Sequence, residues 1–291
     1  MELGLGYALL AAFVWGGYLF GLKQYFEGYP ATTLTVCVNA FAIAFYLPVT
    51  LRALANGAGT AFASLSALDA GVVALTICAT AAAFVLFLHA IAAGDVSYVT
   101  PINKIVPALV VPIEVLVLGE VLTPIQLVGV VVATSAIYVA NYRAGGLLDP
   151  LRRIVRSRPA QLALLSAALY AVSDVGKRVA LQELGIPTAL WVPVLLGGIL
   201  LVLLVPAVRD RPDELRSDVP KFAAAGAFVA TGEHVTSLAF SLVPASVASP
   251  IVNTQAILVV LLGGVVLGED HFRVRILAAV LAVAGVTLIA L

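Results

Sequence analysis

The sequence has few charged residues. Asp, Glu, Lys and Arg make up 11% of its 291 residues, where a soluble domain uses about a quarter. The 16 acidic residues balance the 16 Lys and Arg, so no basic excess favours nucleic acid as a partner. With 62% hydrophobic residues, the composition excludes an ordinary soluble domain and indicates the lipid bilayer as the chain's surroundings.

Cysteine and histidine are scarce, with two and three copies. Cys37 and Cys78 both lie in apolar runs, which favours small buried hydrophobes over ligands or disulfides. The cluster Glu269-Asp270-His271 lacks the spacing of a metal site. The sequence has no His-Glu-x-x-His or Gly-x-Ser-x-Gly motif. We therefore expect no cofactor, no metal and no enzymatic activity. An intramembrane enzyme or a membrane scaffold without transport activity is kept as the alternative.

Long polar segments are also missing, and apolar runs near the 20 residues that span a bilayer recur instead. The first run follows Glu2 and leads to no A-x-A-like site, so we expect an uncleaved first helix. We predict an all-α integral membrane protein with ten transmembrane helices, at residues 4–23, 31–52, 70–92, 97–118, 124–142, 160–180, 187–208, 220–242, 246–267 and 273–291.

The chain repeats itself at a shift of 149 residues. Residues 97–120 overlay 246–269 with ten identities in 24 positions, including Pro101-Ile102 on Pro250-Ile251 and, at the end of each block, Gly119-Glu120 on Gly268-Glu269. The first helices match more weakly and at a shift of 155 residues, with Trp15 aligned on Tyr170. The repeat predicts a first module at 1–143, a basic cytoplasmic linker at 144–159 and a second module at 160–291.

Each module would hold five helices. An odd number means that two modules in series enter the bilayer from opposite sides, which is the inverted repeat of many secondary transporters. Gly17-x-x-x-Gly21 in the first helix predicts a face for close helix packing.

The Lys and Arg residues near the loops are biased to one side, which the positive-inside rule places in the cytoplasm. That side, away from both termini, has twelve: Lys23, Arg143, Arg152, Arg153, Arg156, Arg158, Arg209, Arg211, Arg216, Lys221, Arg273 and Arg275. The other side has three: Arg52, Lys177 and Arg178. The bias predicts that both termini lie outside.

The repeated block resembles the EamA module of the drug/metabolite transporter superfamily. In that family the fourth helix of each module opens with a small-residue/Pro segment and ends in Gly-Glu, as at Ser97 to Glu120 and Ser246 to Glu269; Trp15-Gly16 in the first helix also fits. The resemblance implies a plasma-membrane permease for amino acids, nucleobases or other small metabolites. It leaves open the substrate, the direction, the coupling ion and the oligomeric state. It also implies cytoplasmic termini, against the charge bias.

The presence of polar residues within the predicted helices requires a structural or functional explanation, because a charge in mid-bilayer costs about 2.5–3.5 kcal/mol. The candidate substrate-binding residues are Trp15, Tyr18, Asn39, Asn103, Lys104, Asn253 and Gln255. The candidate proton-coupling residues are Asp174, Glu233 and His234.

Each candidate also has a structural interpretation. One interpretation of Lys104 is a cation in a cavity, where it faces Asp174, Glu233 or an anionic substrate group. The other is a side chain that reaches the bilayer surface. The amides fit either substrate contacts or inter-helix hydrogen bonds, and the aromatic residues fit a cavity wall or the core. Asp174 and Glu233 are too short to reach the surface from their depth, so we expect them to face a polar interior. His234 shares a proton relay with Glu233 or packs between helices.

Overall fold

The structure, a computed structural model, describes residues 2–118, 123–140, 156–210, 215, 217–243, 245–266 and 272–289, and this part of the chain contains helices and no strand. The first half contains α1 (Glu2–Tyr25), α2 (Ala31–Ala55), a 3₁₀ turn (Ala58–Phe62), α3 (Ala67–Ala93), α4 (Val96–Asn103), α5 (Val106–Leu118) and α6 (Pro124–Ala140). The second half contains α7 (Arg158–Arg178) with a π-helical end (Val179–Glu183), α8 (Thr188–Arg209), α9 (Val219–Leu242), α10 (Ala245–Asn253), α11 (Gln255–Val266) and α12 (Phe272–Ile289).

The lengths of the apolar runs in the sequence determine the lengths of these helices. In the described part of the chain, six segments are long and apolar enough to cross a membrane: Glu2–Tyr25, Ala31–Ala55, Ala67–Ala93, Tyr98–Val117, Thr188–Arg209 and Ala248–Val266. Helices α6, α7, α9 and α12 cover the other four predicted spans. The repeated Gly-Glu pairs and the Glu269-Asp270-His271 cluster lie outside the described residues.

Two predicted helices, at 97–118 and 246–267, are interrupted. Their prolines had predicted kinked or loosened helices, without the positions at which these divide. The first divides into α4 and α5 at Lys104-Ile105, and the second divides into α10 and α11 at Thr254. Pro107 follows the first break, and a proline clashes with the carbonyl four residues earlier, which here is that of Asn103 at the end of α4. The matching position of the second half is Ala256, so proline does not account for the break at Thr254. The 149-residue shift sets Ile105 opposite Thr254, so both halves break at the same place.

The helices of one half pack against those of the other in a reciprocal pattern. Helix α1 contacts α9 while α3 contacts α7, and α2 contacts α8 while α6 contacts α12. Exchanging each helix with its counterpart in the other half leaves this set of contacts unchanged. The core therefore lies between the halves.

Glycines allow the closest helix contacts. A Cβ on Gly226 of α9 would lie 2.5 Å from the Cβ of Phe41 and 2.9 Å from the backbone nitrogen of Ala42 on α2. In α1 the close contacts are made by Gly4 and Gly16, where a Cβ would lie 2.7 Å from Val243 Cγ1 and from Leu258 Cδ2, respectively. At Gly17 the nearest atom would be 3.8 Å away, so the predicted Gly17-x-x-x-Gly21 packing face is wrong by one position.

Contacts outside the helices join the halves at the end where α1 meets α2. Tyr29 donates a hydrogen bond to Asp218, just before α9, and its ring packs 5.4 Å from that of Phe222. Lys221 and Tyr29 both donate to the Asp218 carboxylate and hold its pKa below the usual value.

Candidate functional site

A cavity of about 120 Å³ lies between the two halves at the level of both helix breaks. Helices α1, α2, α3, α7, α8 and α9 contribute to its wall, together with the residues around the α4–α5 and α10–α11 breaks. Eight of the ten residues singled out from the sequence line it: Trp15, Tyr18, Asn39, Lys104, Asp174, Glu233, Asn253 and Gln255.

Asn103 and His234 do not line this cavity. The Asn103 amide donates to the Ala163 carbonyl and to Ser166 Oγ, 2.9 Å away, and so ties α4 to α7. His234 Nδ1 lies 2.7 Å from Tyr46 Oη on α2. Although His234 follows Glu233 directly, consecutive helix residues point about 100° apart, so its ring faces another helix.

Glu233 forms a buried ion pair across helices. Lys177 Nζ on α7 lies 3.1 Å from Glu233 Oε2 on α9, with side-chain exposures of 6% and 11%. Both side chains line the cavity.

This position of Lys177 also corrects the count of Lys and Arg on each side of the membrane, which had treated Lys177 as a residue at the membrane surface. Without it, the bias of Lys and Arg becomes twelve to two.

Lys104 ends α4 and is buried. Its ammonium nitrogen lies 5.4 Å from the ring centroids of both Phe87 and Tyr170, within the range of cation–π attraction. Within the described part of the chain, Lys104 forms no ion pair with Asp174 or Glu233. Lys104 therefore sits between aromatic rings at the cavity wall and does not extend to the membrane surface.

Asp174 is held by the second broken helix. Ser249 Oγ donates to Asp174 Oδ2 at 3.0 Å. The Asn253 amide, at the end of α10, donates to the Ser249 carbonyl at 2.8 Å and to its Oγ at 3.2 Å. This chain of hydrogen bonds fixes the carboxylate at the cavity wall through one of its two oxygens.

Aromatic rings cover the side of the cavity formed by α1 and α3. Trp15 Nε1 donates to Thr236 Oγ1 on α9 at 2.9 Å, and the Trp15 ring meets Tyr18 edge to face at 5.6 Å. Tyr18 stacks on Phe84, with 6.4 Å between the ring centroids. The side chains of Trp15 and Tyr18 therefore form part of the cavity wall and also pack in the hydrophobic core.

The sequence placed Lys177 among the polar residues of the predicted helices but assigned no site role to Lys177 or to Ser249. Lys177 follows Asp174 by three positions, a spacing that puts both on one helix face, and this signal could have included it. Ser249 offered no such signal, because one serine in an apolar helix is common. Among the described residues, no group of three His, Cys, Asp and Glu side chains is placed to hold a metal ion.

Apolar helices that place two lysines and two carboxylates around a central cavity define a multi-pass membrane protein with a polar interior site. The model of the EamA-like transporter family matches residues 2–142 and 158–291, and the chain belongs to this family of drug/metabolite membrane transporters. No curated protein matches the chain. A crystal structure, described only as that of a protein, superposes with a TM-score of 0.69 at 16% identity, covering 99% of this chain and 96% of its own, and supports the fold.

Proposed function

We propose that the protein is a secondary active transporter that moves a small polar metabolite across the plasma membrane by alternating access. Ten transmembrane helices in two inverted five-helix repeats would form it. The observation that carries the proposal is the charged cavity at two equivalent helix breaks. Transporters built on inverted repeats bind substrate where discontinuous helices meet near the midplane.

The reciprocal contacts between the halves support alternating access. Because α1 packs on α9 as α3 packs on α7, the two halves can exchange roles, so that a conformation closed on one side has a counterpart closed on the other. The cavity between them would then open to each side in turn. Export or exchange of an amino acid, a nucleobase or a related compound fits its size and polarity.

Glu233 is the best placed of the three predicted proton-coupling residues. Its partner Lys177 lies on another helix, so a movement of α7 against α9 would separate the pair. A nearby cation favours an ionised carboxylate, and its loss in a low-dielectric site favours the protonated form. A conformational change that separates the pair would therefore be linked to proton uptake.

Counterflow in proteoliposomes tests this function. Vesicles loaded with one unlabelled metabolite at a time, from panels of amino acids and nucleobases, should accumulate the corresponding labelled compound if it is a substrate. Protein-free vesicles give the background. Absence of counterflow for every compound, by protein that is folded and inserted, would contradict transport of these metabolites.

A further inference from the structure

The turn between α3 and α4 packs against the second half of the chain. A Cβ on Gly94, in this turn, would lie 3.1 Å from the Cβ of Pro159 at the start of α7. Lys23, near the end of α1, donates to the carbonyl of Ile91, near the end of α3. The end of α1 therefore lies on the same side of the protein as this contact, which we call the Gly94 end of the cavity.

The other end of the cavity has the equivalent contact. A Cβ on Gly4, near the start of α1, would lie 2.7 Å from Val243 Cγ1 in the turn before α10. The shift of 149 residues sets Gly94 on Val243, and the shift of 155 residues sets Gly4 on Pro159. Gly4 and Lys23 are roughly 28 Å apart along α1, and the α1 residues that line the cavity lie between them. We call this the Gly4 end.

An ion pair is added at the Gly94 end. The Arg275 guanidinium on α12 donates to Oδ2 of Asp95, the residue before α4, and lies 5.9 Å from the ring centroid of Tyr98 on α4. Tyr98 Oη donates to Ser157 Oγ, just before α7, at 3.4 Å. The Arg275 side chain is 5% exposed and that of Asp95 is 49% exposed. These contacts tie the start of α4 to two helices of the other half.

The repeat does not supply the same charges at the Gly4 end. The 149-residue shift sets three uncharged residues opposite Asp95, Tyr98 and Arg275, namely Pro244, Val247 and Gln126. The two ends are therefore equivalent in their close helix contacts and different in charge. Two conformations, each closed at one end, would then differ in free energy and in population.

Helix α4 connects the ion pair to the cavity. Asp95 precedes this helix and Lys104, which lines the cavity, follows it. The eight residues of α4 span roughly 12 Å, so a movement at Asp95 is carried directly to the cavity wall. Because the helix divides at Lys104, α4 can move without carrying α5.

We propose that Asp95, Tyr98 and Arg275 form a latch, which favours the conformation closed at the Gly94 end and open at the Gly4 end. Loss of the latch would shift the population toward the conformation open at the Gly94 end. The inference rests on the proposed transport by alternating access, and it adds which of the two ends is closed in the resting protein.

The test measures access to the cavity from each side of the membrane. Ser173 lines the cavity, and Ser173→Cys without Cys37 and Cys78 gives a single thiol for a membrane-impermeant reagent in oriented vesicles. The quantity compared is the labelling rate from the Gly94 end divided by the rate from the Gly4 end. Asp95→Asn should raise this ratio about fivefold, the upper range for an ion pair with one half-exposed partner.

Arg275→Gln should raise the ratio by a similar factor, and Asp95→Asn/Arg275→Gln should raise it no further, because either substitution alone removes the pair. Glu27→Gln is the matched control. It removes an ion pair with Lys23 at the same end, and that pair lies within α1 and does not join the halves. This variant should leave the ratio unchanged.

A ratio that stays unchanged in Asp95→Asn and Arg275→Gln, or that rises additively in the double variant, would overturn the latch. Labelling from both sides would in that case leave alternating access standing. Labelling from the same single side in every variant would overturn both the latch and the proposed transport cycle.

Discussion

The ammonium nitrogen of Lys177 lies 3.1 Å from Glu233 Oε2, and this pair links α7 to α9 across the wall of the central cavity. Neither side chain reaches the surface, so the pair is a buried contact whose loss should be measurable. Two such groups on different helices can separate when the helices move, which a pair on one helix does not do. The pair therefore gives the proposed coupling a physical basis.

The substitution Glu233→Gln should abolish uptake driven by a pH gradient and leave substrate exchange largely intact, because exchange requires no net proton movement. Reconstituted vesicles allow both rates to be measured on one preparation. Glu27→Gln is the control, since Glu27 is a surface carboxylate with 69% exposure that pairs with Lys23. Normal pH-driven uptake by Glu233→Gln would exclude Glu233. The same loss in Asp174→Asn, with exchange intact, would assign the coupling to Asp174 instead.

A double-mutant cycle should show that the same pair contributes to stability. Glu233→Gln leaves Lys177 as an uncompensated buried charge, and breaking a buried pair from one side costs up to about 3–5 kcal/mol. Lys177→Gln/Glu233→Gln should recover most of the loss in apparent Tm while still lacking pH-driven uptake. Additive losses in the double variant would show that the two side chains do not interact in the membrane protein.

The sequence predicted a large part of this fold because apolar length and a repeat are local properties of the chain. The shift of 149 residues that aligns Pro101 with Pro250 also aligns the two helix breaks. The positions of the breaks were not predicted, because hydropathy is averaged over about twenty residues whereas Thr254 interrupts the helix at a single position. Proline predicted a weakened helix and left open where it would divide.

The sequence predicted which polar residues belong to the candidate site, but it did not predict which of them contact each other. The sequence grouped Lys104, Asp174 and Glu233 as charged residues within predicted helices, but rotation about each helix axis decides which side chains meet. Lys177 took the place next to Glu233 that had been expected for Lys104 or His234. Only tertiary packing supplies that information.

The tight contact between α2 and α9 should make Gly226 intolerant of a side chain. A Cβ there would press on the backbone of α2 at Ala42, so Gly226→Ala should lower stability by about 1–3 kcal/mol, the usual cost of overpacking. Gly197→Ala is the control, because a Cβ at Gly197 meets nothing within 4 Å and alanine favours a helix. Equal apparent Tm values for the two variants would contradict the close approach of α2 and α9.

Membrane orientation is a separate prediction from the charge bias. With Lys177 assigned to the interior, twelve Lys and Arg remain on one side and two on the other. A reporter fused after Leu291 should therefore be active only in its extracytoplasmic form. Activity of the cytoplasmic form would support the orientation that the family resemblance implies.

The most direct test of alternating access through the central cavity is the accessibility of one cavity residue from both sides. Ser173 lines the cavity beside Thr80, with 2.6 Å between their hydroxyl oxygens, and Ser173→Cys is a minimal change in a background lacking Cys37 and Cys78. A membrane-impermeant thiol reagent applied to oriented vesicles should label Cys at this position from either face, and a bound substrate should slow both reactions. Labelling from one face only, whatever the substrate or pH gradient, would contradict the account.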